Sequence, residues 1–199
     1  MKLKISQVGE AVLRQNARPL SPAEIKSSPT QQLIELMCAT MRDAPGVGLA
    51  APQVGLPLQL AVIEDQASYI EKMPAGQAAE RRRAPVPFHV IINPKLTVTN
   101  SETAEFFEGC LSLPGFSAIV PRALSVRVEC FNERAEQTVI EAEGWYARIL
   151  QHEIDHLHGT LYIDRMHSHS FTTLDNHARY WKDLSVSQFW HAIESGPEN

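Results

Sequence analysis

The stretch "QHEIDHLHG", residues 151–159, puts His152 and His156 four positions apart with Glu153 between them. Four residues are about one helical turn, so on a helix both imidazoles leave the same side with the carboxylate beside them. Two imidazoles at that spacing can chelate a divalent ion, and the intervening glutamate can take a proton from water. That is the chemistry of metal-assisted hydrolysis. The residues alone leave a plainer reading open, in which two buried histidines satisfy each other or nearby carbonyls.

A catalytic metal site needs a third protein ligand and an open position. Gly159 suggests the longer H-E-x-x-H-x-x-G-x-x-H pattern, but its last position holds Tyr162, so that pattern fails. The acids Asp164, Asp175, Asp183 and Glu194 carry no motif, and His158, His167 and His169 read as exposed. Packing explains Cys38, on the apolar stripe of a helix, and Cys130, on the inward face of a strand. Cys110 is different. In "EGCLSLPG" it sits at a strand end or turn that needs no thiol for packing, and a thiolate is a good soft ligand. A third stretch, "GVGLAAPQVG" at 46–55, is too rich in glycine and alanine for a core strand and lacks the lysine of a phosphate-binding loop. Gly46 and Gly48 suggest that another backbone comes close, and Gln53 offers an amide donor. An ordinary turn is the alternative there.

These side chains need a frame. Glu143 or Gly144 opens a helix predicted to reach about Tyr162. Leu150, Ile154, Leu157 and Leu161 form one apolar stripe, while Trp145, Ile149, His152 and His156 form a second face, with Glu153 at the border. Arg148, Gln151, Asp155 and His158 are expected to face solvent. A helix buried on two faces is a central one. Upstream, Ser28 is expected as N-cap, with Pro29 first in the helix and Gln31 closing a capping box. Leu33, Ile34, Met37, Cys38 and Met41 follow at helical spacing until Pro45. Strand-like runs lie at 58–63, 90–92 and 96–99. "LSVRVEC" sets Leu124, Val126, Val128 and Cys130 on one face, and 137–142 is expected to pair with it. Strands between two helices, without βαβ alternation, predict an α+β fold of antiparallel sheets packed around a central C-terminal helix that carries the H-E-x-x-H motif.

At 199 residues, with 44% hydrophobic and 21% charged residues, the chain is expected to be one domain, 1–199. It should carry a surface loop at about 65–88 and an unassigned tail from about 175. A net charge of −5 speaks against nucleic-acid binding by bulk electrostatics. Arg81, Arg82 and Arg83 read as part of a solvated loop. Three cysteines make no disulfide framework and suit a reducing compartment. "MKLKISQVGE" is not followed by an apolar signal region, and no run of 18 apolar residues exists, so cytoplasm without membrane contact is expected.

Together, "GVGLAAPQVG", "EGCLSLPG" and "QHEIDHLHG", in this order, resemble the peptide deformylase family, whose motifs G-x-G-x-A-A-x-Q, E-G-C-x-S and Q-H-E-x-D-H are complete here. The resemblance covers roughly residues 1–170. The long loop before Asn93, "LPGF" and "GWYARILQHE" resemble the branch that includes organelle-type enzymes. The resemblance implies removal of the formyl group from the N-terminal formyl-methionine of new polypeptides. It implies one divalent ion per chain on Cys110, His152 and His156, with Fe(II) in the cell and Zn, Ni or Co able to occupy the site. It also implies Glu153 as the base, with the Gln53 amide and the Leu111 backbone N–H as oxyanion donors. The peptide would lie extended along Val47 and Gly48, with Val47, Trp145 and Ile149 as walls for methionine. Formyl-methionyl nascent chains and the ribosome are the implied partners, and the location is a bacterial-type cytoplasm or an organelle. Two alternatives are a non-catalytic metal module that binds N-termini and a peptidase. The first lacks a fourth ligand in the motifs, and the cysteine ligand speaks against the second.

Overall fold

The apolar run at 60–63 lies in a strand that is covered on both sides. In the computed structural model, which describes residues 2–74 and 76–195, this strand is β2 (Leu60–Asp65). It belongs to a five-stranded antiparallel sheet with β1 (Gly48–Ala50), β3 (Val86–Val98), β6 (Ser125–Phe131) and β7 (Gln137–Glu143), in the order β1-β2-β3-β6-β7. Leu60 and Val62 share a core with Ile34, Met37 and Met41 of helix α1 (Ser28–Asp43). Ala61 and Ile63 turn the other way, into a core with Ile149, Leu150 and Ile154 of helix α2 (Gly144–Leu157). Strands sealed on both faces read as continuous apolar runs, and β3 behaves the same way through Val90, Ile91 and Ile92.

A second antiparallel sheet, ordered β4-β5-β8, comprises β4 (Thr103–Cys110), β5 (Leu113–Ala123) and β8 (Thr172–Thr173). Helix α2 bonds to it through Arg148, which donates to the carbonyls of Val120 and Ala104, and through Gln151, which donates to that of Ala123. The central helix between antiparallel sheets is the predicted α+β arrangement. A last helix, α3 (Val186–Ser195), closes the described chain.

Several local expectations are corrected. The runs expected at 90–92 and 96–99 fall in one strand, which ends at Val98 and is interrupted where Asn93 takes φ 51° before Pro94. There the Asn93 side chain exchanges two hydrogen bonds with the backbone of Leu20, at 2.9 and 2.8 Å. Helix α1 has Ser27, not Ser28, at its N-cap, and no capping box forms. Gln31 instead donates to the carbonyls of Ile25 and Glu133. The capping box occurs upstream, between Ser21 and Glu24. Residues 48–50 do form a buried strand, with Leu49 between the small residues Gly48 and Ala50. Helix α2 stops at Leu157, short of Tyr162, because the chain turns at Gly159 with φ 69°. A Cβ there would lie 2.7 Å from the Arg14 carbonyl oxygen, so only glycine fits. Leu161 is buried beyond the helix end rather than along its stripe.

The 65–88 segment carries short helices at Ala67–Ile70 and Gln77–Glu80 and is not simply solvated. Arg83 makes a paired bond to buried Asp65, at 2.7 and 2.8 Å, and the guanidinium groups of Arg81 and Arg83 lie 5.0 and 5.3 Å from the Trp145 ring centroid. No helix among the described residues is long and apolar enough to cross a membrane.

Candidate metal centre

Helix α2 sets His152 and His156 on one side, with ring centroids 5.0 Å apart. Cys110 reaches them from the end of β4, where a register shift after Glu108 precedes the turn into β5. Its Sγ lies 3.3 Å from His156 Nε2, and the potential ligand atoms of Cys110, His152 and His156 all lie within 4.8 Å of one another. His152 Nδ1 is engaged by Glu108 Oε2 at 3.1 Å, which leaves Nε2 as the free ring nitrogen. Burial works against ionising the Cys110 thiol, but the two imidazoles outweigh it and hold its pKa well below the usual value. A thiolate and two imidazoles, three donors with a cavity on the remaining side, fit a divalent ion with an exchangeable fourth position. His158 and His169 are exposed, and His167 Nε2 lies 2.8 Å from Glu105; none of them joins this group.

Glu153 is buried among these donors, and its Oε2 has no hydrogen-bond partner among the described residues. Burial raises its carboxyl to about 7, where a carboxylate can both take and return a proton at neutral pH. Its carboxylate packs against Gly48, where any Cβ would collide with it. The glycines at 46 and 48 predict the approach of another backbone. The atoms that approach instead belong to side chains, Leu111 at Gly46 and Glu153 at Gly48.

Cys110, His152 and Glu153 line a cavity of about 670 Å³, within the range of small-ligand sites, with His156 buried behind them. Val47, Gly48, Trp145 and Ile149, the sequence-derived substrate residues, all line it, as do Gln53 and Leu111. Gln53 is only 1% exposed. Its Oε1 accepts from the Ala50 backbone N–H at 2.9 Å, while Nε2 donates to Ser112 Oγ at 3.2 Å and lies 3.5 Å from Cys110 Sγ. Leu111 occupies the β4–β5 turn, where its carbonyl accepts from the Gln7 side chain.

The largest departure from the sequence reading lies behind His152. Arg148 and Asp155, expected in solvent, are buried, as are Glu108 and Arg122, and only His158 of that face is exposed. Glu108 accepts from Arg122 through both carboxylate oxygens at 3.0 Å and from Arg148 at 2.7 Å. Arg122 also pairs with Asp155, which Arg165 grips with two bonds of 2.7 Å. Burial would raise the Glu108 carboxyl, but His152 and Arg122 hold it far below the usual carboxylate range. The carboxylate thus orients the imidazole from behind, as is common for metal-binding histidines. Glu108 stands in the "EGC" motif two positions before Cys110, which was the available signal for its role.

The chain matches the family model described as Polypeptide deformylase over residues 2–171. It is 46% identical over 172 residues to "Peptide deformylase 1A, chloroplastic" of Solanum lycopersicum, with 86% of this chain and 62% of the relative covered. It therefore spans less than two thirds of that relative's length. To "Peptide deformylase, mitochondrial" of Homo sapiens it is 41% identical, with 91% of this chain and 72% of the relative covered. Among solved structures, a class I type b peptide deformylase from Acinetobacter baumannii, bound to Met-Ala-Ser, superposes with a TM-score of 0.74 at 32% identity. That match covers 83% of this chain and 99% of the other.

Proposed function

Because the chain belongs to the peptide deformylase family, we propose that it removes the formyl group from the N-terminal formyl-methionine of new polypeptides by metal-dependent hydrolysis. The observation that carries this reading is the convergence of Cys110, His152 and His156, with Cys110, His152 and buried Glu153 facing one cavity. Those three residues would hold a divalent ion, which would supply Lewis acidity to the formyl group; the reading takes Fe(II) as the ion in the cell, with Zn, Ni or Co able to take its place.

The remaining work falls to the protein. Glu153 takes a proton from the attacking water and delivers it to the leaving amine as the C–N bond breaks and formate departs. The Gln53 amide and the Leu111 backbone N–H meet the negative charge that builds on the formyl oxygen. Gln53 is held for this by Ala50 and Ser112, so its amide is oriented before substrate arrives. Strand β1 ends the five-stranded sheet and pairs only with β2 within it, so an extended peptide can add along Val47 and Gly48. Methionine then lies against Val47, Trp145 and Ile149. The substrates are nascent chains at the ribosome, in a bacterial-type cytoplasm or in an organelle.

Hydrolysis of formyl-Met-Ala-Ser, acetyl-Met-Ala-Ser and an unblocked longer peptide tests the reading, followed as formate release, acetate release and new internal termini respectively. The acetyl methyl falls where the ligands and donors converge, and displacement of the carbonyl there costs about a hundredfold. The metal-loaded protein should hydrolyse the formyl peptide far faster than the acetyl peptide and leave the third intact. Comparable rates on the first two, or internal cleavage of the third, would overturn the reading.

A further inference from the structure

The family match ends at residue 171, yet the cavity wall does not. Leu174 lines the cavity alongside Phe107 and Phe116. The segment that carries Leu174 is held in three places. Strand β8 pairs with β5 in the register Phe116↔Thr173 and Ser117↔Thr172. The next anchor is Phe107, a cavity residue, against which His177 and Phe189 pack edge-on with centroids 4.5 and 5.3 Å away. Phe189 is 2% exposed and also meets Trp181 and Trp190. The third anchor is Trp190, whose Nε1 donates to Glu105 of β4 at 3.4 Å.

At the mouth of the cavity this leaves an apolar rest. The rings of Phe116 and Phe171 stack with a 5.1 Å centroid separation and a 6° interplanar angle. Phe116, Phe171 and Leu174 remain 37%, 42% and 49% exposed. By contrast Ile149, on the inner wall, is 4% exposed. A sealed inner wall and a half-exposed rim offer two distinct apolar surfaces, the first suited to the methionine and the second to later residues of the peptide.

We propose that the C-terminal segment 172–195 is part of the substrate site: it holds Leu174 beside Phe116 at the cavity mouth, where they take apolar side chains of the residues that come after the formyl-methionine. The proposal rests on the deformylase reading above, and it assigns this segment a share in sequence preference. Phe189 acts as its anchor through Phe107 and touches no substrate.

The experiment compares kcat/KM for formyl-Met-Leu-Phe and formyl-Met-Ala-Ser on the metal-loaded full chain. Wild type should favour the first, mainly through KM. Leu174→Ala should lower that ratio by about three- to tenfold, the scale of losing part of one apolar contact. Leu174→Met, which keeps the apolar bulk, should retain the ratio. Leu184→Ala should also leave it unchanged, because Leu184 is an exposed apolar residue of the same segment outside the cavity lining. Melting curves for each variant separate a contact effect from unfolding, which half-exposed Leu174 should not cause. A wild-type enzyme active on both peptides, with an unchanged ratio in Leu174→Ala, overturns this inference alone. Hydrolysis of neither peptide by wild type overturns the deformylase reading and this proposal with it.

Discussion

Gly48 and Glu153 occupy the same space: a Cβ built on Gly48 would lie 2.1 Å from Glu153 Oε1. The absence of a side chain at Gly48 of β1 is therefore what lets the carboxylate sit where it lines the cavity. Gly48→Ala should push the carboxylate aside. Turnover should fall by about a hundredfold, the scale of a small displacement of a reacting group, while metal content stays near wild type. Overpacking should cost about 1–3 kcal/mol in denaturant unfolding. Wild-type turnover in this variant would show that the carboxylate's placement does not matter.

Glu108 is expected to be as important as the residues it supports. Glu108→Gln keeps the shape but removes the charge that answers Arg122, Arg148 and His152. Metal affinity, read by chelator competition, should fall about 10- to 100-fold, as for other outer partners of a histidine ligand. Loss of one member of a buried ion cluster should cost roughly 3–5 kcal/mol of stability at neutral pH. The sign with pH comes from the lowered carboxyl. Its contribution is complete above the unfolded value of about 4.5 and fades as pH drops below that. The stability gap between wild type and variant should therefore narrow in acid, and a gap that widened there would contradict the assignment.

What could be read from sequence was which residues cluster at the candidate site, and the periodic faces. His152, Glu153, His156 and Cys110 were legible because their types and spacing have few other uses, and Leu150 and Ile154 because a stripe has a period. Arg148 and Asp155 were misread because a charge on a helix face reads as solvated. The partners that make their burial tolerable lie 40 and 33 positions away, at Glu108 and Arg122. Strand β5 was missed because Pro114, Gly115 and Pro121 punctuate it like a loop. The glycine at position 48 of β1 has its reason in Glu153, which no local propensity reveals.

The three cysteines should differ in reactivity. Burial raises Cys130 to about 11 and raises Cys38 as well, so neither is thiolate at neutral pH. Cys110 opens to the cavity and its thiolate is favoured by His156 and His152. In metal-free protein at pH 7, iodoacetamide should modify Cys110 first, and prior addition of Zn should protect it. Mass mapping that found Cys38 or Cys130 modified first, or no protection by Zn, would remove Cys110 from the centre.

Gln53 is expected to act in the reaction itself. Gln53→Ala should raise the barrier by about 2.7–4 kcal/mol, read as a fall in kcat as well as kcat/KM. An effect confined to KM would move Gln53 to plain substrate binding.

The account stands most directly on Glu153 moving a proton without holding the ion. The decisive measurement is metal content and kcat for formyl-Met-Ala-Ser on the same anaerobic preparation of Glu153→Gln. The prediction is one ion per chain, as in wild type, with turnover reduced at least about a hundredfold. Turnover near wild type would contradict the role assigned to Glu153, and loss of the ion would make it a ligand instead.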